Sequence, residues 1–201
     1  MEITLDGRGL DKAIRALAKV QGGLGKALER TLNRTGPGMR TDAVREITSI
    51  YRAKAKRVRK DLYTTKASAK HGVFEVRLKV DPDARKLALP YFKTRPASPT
   101  TRPPKAGVLV SVRKDKGGGK RIKHGFVART KSGHVGVFVR KTEGGKRVGR
   151  LPITELKGPS VRGMLKNETA QKNAHAKAQE RADKRLPQEV KHVLRQAGFI
   201  D

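Results

Sequence analysis

Three Gly-Lys pairs, ending at Lys26, Lys120 and Lys146, are the places where this sequence comes nearest to a phosphate-handling loop. A loop of the GxxxxGK[ST] kind needs an earlier glycine five residues before the second, and a hydroxyl residue after the lysine. The earlier positions hold Val20, Lys114 and Arg140, and no Ser or Thr follows any of the three lysines. These glycines read as turn and helix-end residues. The five histidines, His71, His124, His134, His175 and His192, form no HExxH or similar ligand spacing, and no cysteine is present to assist them. His124 and His134 fall near opposing strand ends, where a surface or hydrogen-bonding role is expected. Nuclease chemistry needs carboxylates gathered around divalent ions. Asp81 and Asp83 are the one close pair in the strand-rich region, and they flank Pro82 in a turn signature. The residues therefore predict no catalytic site, no metal and no cofactor.

What remains is positive charge. Lys and Arg number 48 against 18 Asp and Glu, for a net +30 over 201 residues. From Ala84 to Arg150 the chain carries 19 basic residues and two acids, Asp115 and Glu143. Self-repulsion on this scale destabilises a lone domain, so it points to a polyanion nearby, most often nucleic acid. Two runs stand out as DNA-proximal candidates: Lys54, Lys56, Arg57, Arg59 and Lys60, then Arg113, Lys114, Lys116, Lys120, Arg121 and Lys123. Lysine and arginine beside phosphates release counterions and give salt-sensitive binding without sequence preference. There is no zinc finger and no RNP-type aromatic strand, and aromatics are only 4% of the chain, too few for base stacking to dominate. Backbone contact is expected over base readout.

The elements that must hold these cations follow from periodicity. Ile3 and Leu5 alternate as in a short strand. Leu10, Ile14, Leu17, Leu24 and Leu28 suit an amphipathic helix ending near Asn33, with Gly22, Gly23 and Gly25 marking a kink or a close backbone approach. Gly36-Pro37-Gly38 predicts a break, followed by a second helix along Met39, Ala43, Val44, Ile47, Ile50 and Tyr51. From Gly72 to Val80 the pattern turns to strand. Pro90 to Pro104, with five prolines, reads as an extended loop or arm. Val108, Val110 and Val112 read as a strand leading to a Gly-rich tip from Lys114 to Arg121. Phe126–Thr130 and His134–Lys141 read as a hairpin around Lys131-Ser132-Gly133, and a turn at Glu143-Gly144-Gly145 leads to a last strand over Val148–Ile153. Gly158-Pro159-Ser160 is a corner. An Ala-rich helix follows to Leu186, and Pro187 is expected to open another helix that Gly198 ends.

The reading is α+β: a small antiparallel β-sheet or sandwich covered by an N-terminal helical hairpin and a long C-terminal helix. Residues 1–71 hold the strand, the hairpin and a basic segment. Residues 72–160 form a basic β region, and 161–201 a helical segment, within one domain. The hydrophobic fraction of 35% and the absence of tryptophan predict a small core that gains stability from assembly or a bound partner. No cysteine, no apolar run of about 18 residues and no apolar signal core predict a protein made and assembled in a cell, without a membrane. The Ala-rich helix from Met164 to Ala182 has few large apolar residues and is expected to contact a neighbouring subunit or another protein of the assembly.

The segment from Gly133 to Val161 carries a more specific pattern. Gly133, His134, Val137, Phe138 and Arg140 form a strand signature. Arg150-Leu151-Pro152-Ile153 and Gly158-Pro159-Ser160 follow it. This order resembles the minor tail protein Z family of lambda-like phages and prophages, the phage tail-completion proteins. The likeness in layout extends over nearly the whole chain, to Arg185-Leu186-Pro187, but about 30 residues carry the motif. It implies a structural virion protein at the head-proximal end of a phage tail, near the head–tail junction, assembled in the host cytoplasm. The implied partners are further copies in a ring, the tail terminator, tail tube and neck proteins, and packaged double-stranded DNA. Gly158, Pro159, Ser160 and Met164 become assembly or corner candidates, with Ser160 placed to cap the next helix and Gly158 to adopt a backbone angle other residues avoid. The charge alone also fits a different class, a cellular nucleic-acid-binding protein of ribosomal or nucleoid type.

Overall fold

The computed structural model describes residues 3–6, 20, 22–143, 146–147 and 149–198. The expected apolar positions Leu10, Ile14 and Leu17 lie outside the described residues. The fold is α+β, with small antiparallel sheets and two long helices. The chain divides into two compact units that interleave in sequence. One comprises residues 1–46, 59–82 and 165–201, the other 47–58 and 83–164.

In the first unit, β1 (Ile3–Asp6), β2 (Leu62–Thr64) and β3 (Glu75–Val80) form an antiparallel sheet in the order β1-β3-β2. Val76, Leu78 and Val80 point inward, as period-2 alternation requires, while Glu75, Arg77 and Lys79 are half-buried on the other face. The inner face meets α1 (Gly23–Ile50), a single helix of 28 residues. The expected helical hairpin is therefore corrected: Gly36-Pro37-Gly38 lies inside α1 and breaks nothing. These glycines serve packing. A Cβ at Gly36 would sit 3.1 Å from Val76 Cγ1 of β3, and one at Gly38 would occupy the place of the Arg181 guanidinium. Gly25 likewise lies close to Ala69 and Phe74, the close backbone approach that the glycine cluster predicted. The Asn33 side chain ties α1 to the loop before β3, donating to Ala67 O at 3.0 Å and accepting from Ala67 N at 2.9 Å.

The last helix, α4 (Glu168–Gln196), is 29 residues long and is capped by Asn167, whose side chain accepts from Ala170 N at 3.1 Å. Pro187 lies within it and opens no new helix. Ala170, Ala174, Ala178, Ala182, Leu186 and Val190 recur every fourth residue and are all buried. The Ala-rich stretch thus packs within its own chain, against the expectation that it faces a neighbour. Its small side chains allow close approach where large ones are not needed. α1 and α4 run antiparallel, as their cross-links show. Glu46 accepts from Asn173 Nδ2 at 3.1 Å and from Lys177 Nζ at 2.5 Å, and Asp42 accepts from Arg181 at 2.7 Å. Glu189 pairs with Arg30 at 2.8 Å and Arg34 at 2.5 Å. Ala27 and Leu28 close the row against Leu186, Val190 and Val193.

The second unit holds the remaining strands. β4 (Lys93–Arg95), β5 (Val108–Ser111) and β6 (Lys120–Ile122) form one antiparallel sheet in the order β4-β5-β6. β7 (Phe126–Arg129), β8 (Val135–Arg140) and β11 (Ile153–Leu156) form another in the order β11-β8-β7. β9 (Thr142–Glu143) and β10 (Lys146–Arg147) make a two-stranded ribbon. The two hairpins read from the sequence, around Lys114–Arg121 and Lys131-Ser132-Gly133, are both present. Two expectations change. The Pro-rich stretch is no arm throughout: Leu89–Tyr91 is a short 3₁₀ turn, Phe92 and Thr94 are buried, and β4 joins the sheet. Of the expected last strand over Val148–Ile153, Val148 lies outside the described residues, residues 149–152 are not strand, and the strand runs from Ile153 to Leu156.

The buried carboxylates of the first unit make its stability depend on pH. At Glu189 burial opposes ionisation, but hydrogen bonding from Arg30 and the charges of Arg34 and Arg30 outweigh it and hold the pKa below its ordinary value. At Glu46 the Lys177 hydrogen bond does the same. A carboxylate depressed in the folded state contributes stability that is complete above the unfolded pKa of about 4.3, and is lost as pH falls through the folded value. Glu189→Gln should cost about 2–3 kcal/mol in urea unfolding at neutral pH. It should also flatten the loss of stability below about pH 4.5. Glu180→Gln, which breaks an exposed pair with Lys184, should leave the urea midpoint where it was.

Candidate nucleic-acid interface

The two basic runs depart from one backbone joint. At the end of α1, Lys114 N donates to Ile50 O and Arg52 N donates to Val112 O, both at 2.8 Å. Tyr51 and Arg113 form a β-bridge, and the Arg113 guanidinium lies 5.5 Å from the Tyr51 ring centroid. From this joint one run continues into α2 (Ala55–Lys60) and the other into the tip between β5 and β6.

On α2, Val58 is buried, while Lys54 before it and Lys56, Arg59 and Lys60 on it are exposed. Arg57 is half-buried, with its guanidinium 5.8 Å from the Tyr91 ring centroid. The Lys54 backbone N–H is held by Tyr91 O at 3.1 Å, so the run starts from a fixed point.

At the tip the candidates separate into paired and unpaired cations. Arg113 grips Asp115 through two bonds of 2.9 and 2.6 Å. That fork lowers the Asp115 carboxyl to about 2, with a backbone hydrogen bond from Lys116 adding to it. Arg113 thus contributes no net charge at neutral pH and acts as a clamp on the turn. Lys114, Lys116, Lys120 and Lys123 are exposed and have no ion pair among the described residues. Arg121, also exposed, donates to Ala106 O at 3.3 Å. Gly118 and Gly119 both have positive φ, and a Cβ at Gly119 would lie 2.7 Å from Val110 O. The glycines are what allow the tip to fold back so tightly.

Three cations that motif reading missed lie beside the tip. Arg52, Lys93 and Arg95 line a cleft of about 210 Å³ with Leu109, Ser111 and Gly118. The β4–β5 register pairs Lys93 with Ser111 and Arg95 with Leu109, so all four stand on one sheet face. Thr94, Val108 and Val110 are buried on the other. The signal in the sequence was the alternation Phe92-Lys93-Thr94-Arg95, obscured by the prolines that follow it.

The corner is built by close packing. Ser160 caps α3 (Val161–Leu165): its hydroxyl accepts from Gly163 N at 3.1 Å and its carbonyl from Met164 N at 3.0 Å. Gly158 N donates to Leu87 O at 2.8 Å, and a Cβ there would lie 2.5 Å from the Phe92 ring. Gly158 is not among the residues of positive φ, so space, not backbone angle, requires glycine. Pro159 O accepts from Leu87 N at 3.5 Å. Met164 is fully buried within the chain and presents no surface to a neighbour. His134, of the motif strand, bonds Glu155 at 2.7 Å, while Leu151 of the Arg-Leu-Pro-Ile segment is 72% exposed.

Among the described residues no group of His, Asp and Glu is arranged to hold a metal ion, and no helix is long and apolar enough to cross a membrane. Fold and charge together define a basic α+β protein with cationic sheet and helix surfaces. The family described as prophage minor tail protein Z (GPZ) matches residues 8–198 of the 201, and the chain belongs to that family. It is therefore a structural phage-tail protein, located in the virion among other tail proteins. No curated protein and no solved structure matches the chain.

The packing at the corner is testable in isolation. Gly158→Val should destabilise the protein by about 1–3 kcal/mol, because the new side chain has to displace Phe92. Lys157→Ala should stay within about 0.5 kcal/mol. Phe92→Leu should recover part of the loss in the Gly158→Val background, measured by thermal unfolding. If the recovery is absent, the Phe92 contact is not the cause.

Proposed function

We propose that this protein completes the head-proximal end of the tail, as one subunit of a ring around the tail axis near the head–tail junction. The observation that carries the reading is the family match over residues 8–198. The charge supports it: +30 on one subunit is multiplied in a ring, and a polyanion on the axis offsets the repulsion. The partners would be its own copies, the tail terminator, the tail tube and neck proteins, with packaged double-stranded DNA beside the basic surface. Lys114, Lys116, Lys120 and Lys123 fit such a surface because they are exposed and have no ion pair among the described residues, whereas Arg113 is held by Asp115. No step of covalent chemistry is proposed. The protein acts by being in place.

Phage lacking the protein should build tails of near-normal length that join heads poorly, or that join and fail to deliver DNA. Abundant infectious particles from a clean deletion would sink the reading. Cryo-EM of purified virions should show density for the chain next to the neck. In the wild-type background, replacing Lys114, Lys116, Lys120 and Lys123 by Gln should leave the melting temperature unchanged and make the salt dependence of DNA binding shallower.

A further inference from the structure

We propose that the cleft between Arg52, Lys93 and Arg95 is a phosphodiester-binding site, and that it seats the backbone of a nucleic-acid strand on the outward face of the β4-β5-β6 sheet. The proposal rests on the reading that this protein lies beside packaged DNA, and it names where on the chain the strand is held.

The cleft gathers charge without a counterion. Among the described residues three cations line the cleft and no carboxylate does. Asp115, the acid of the neighbouring tip, is already held by Arg113. None of Arg52, Lys93 and Arg95 has an ion pair among the described residues. Arg52 Nε is buried and finds no acceptor. Among the described residues the Arg52 side chain makes no hydrogen bond, so its terminal N–H groups are left for an oxyanion in the cleft. The remaining groups suit the same ligand. Ser111 offers a hydroxyl, and Gly118, at positive φ with open space where its Cβ would be, lets an oxygen approach the backbone.

Shape and spacing select a phosphate strand over a carboxylate. An open cleft of about 210 Å³ has room for a phosphate group and its ester links. Lys93 and Arg95 are two residues apart on one strand, so their side chains leave the sheet about 7 Å apart. That is close to the separation of successive phosphates along a nucleic-acid strand. Arg121 pairs with Leu109 across the sheet and so stands on the same face as Arg95, which extends the cationic row beyond the cleft. Among the described residues Leu109 is the one apolar wall, and no aromatic ring lines the cleft to stack on a base. Binding should therefore be blind to sequence.

The test uses the purified full-length chain and a labelled duplex of about 20 base pairs, titrated between about 50 and 300 mM salt. Lys93→Gln with Arg95→Gln should make the log–log salt slope shallower by about 2, and adding Arg52→Gln should bring the change to about 3. Lys93 and Arg95 are exposed, so the double variant should keep the wild-type melting temperature even if Arg52→Gln perturbs folding. The charge-preserving pair Lys93→Arg with Arg95→Lys should keep the slope. An unchanged slope in a folded Lys93→Gln, Arg95→Gln protein overturns the proposal, as does a wild-type protein that does not bind the duplex at the lowest salt. A poly-glutamate peptide that competes as well as DNA, with the same loss in the double variant, would also overturn it and assign the cleft to an acidic protein. Tail completion is judged separately by the deletion phage, so the two readings fail independently.

Discussion

Scarcity of acid is the constraint on which this structure depends. With 18 carboxylate residues against 48 bases, each acid placed inside the protein is withheld from the surface. Asp42, Glu46 and Glu189 are all buried, and all three link α1 to α4. They face Arg30, Arg34, Asn173, Lys177 and Arg181, so every buried carboxylate of this row meets a cation or an amide. The same choice leaves Lys114, Lys116, Lys120, Lys93 and Arg95 without an ion pair among the described residues. Internal cohesion and external charge are two outcomes of one allocation.

The helix pair also explains why glycine and proline misled a reading by local preference. Gly36-Pro37-Gly38 has the composition of a loop, and Pro37 cannot donate to the carbonyl one turn back. The helix continues because what lies beside it demands small residues. Gly36 admits Val76 of β3, and Gly38 leaves room for the Arg181 guanidinium that reaches Asp42 one turn further on. Tertiary packing overrides propensity there. Pro187 follows the same logic: the burial of Leu186, Glu189 and Val190 carries α4 through it. Val76 and Arg181 are both far from Gly36 and Gly38 in sequence, so no local window contains the reason there.

More of the sheet region was legible. The valine alternation at Val108 and Val110, and the Gly-rich tip after it, gave the β5–β6 hairpin, and Phe126–Arg129 with Val135–Arg140 gave the next. Hairpins are short-range objects, with both strands and the turn inside one window. The candidate site was legible as charge but not as geometry. Sequence counts Arg113 as one cation among many; only the fold shows that Asp115 neutralises it. Lys93 and Arg95 were hidden within a Pro-rich stretch, because the strand that presents them is three residues long and its partner lies across a loop. The reason for glycine at 158 lay out of reach of the sequence, since Phe92, which fills the space beside it, is 66 residues away.

The interleaving of the two units bears on how the chain is made. The path crosses between them after residues 46, 58, 82 and 164, so neither is finished by a continuous stretch of sequence. The carboxylates Asp42 and Glu46 leave the ribosome more than a hundred residues before Asn173, Lys177 and Arg181, the groups that satisfy them. Until α4 is synthesised, α1 carries those acids and a long apolar stripe with no helix to receive them. Completion of the first unit therefore waits for the late part of translation, and contacts so distant in sequence make it a slow step. A nascent chain that is cationic over most of its length repels its own kind during that interval, which protects it from aggregation while its core is still open.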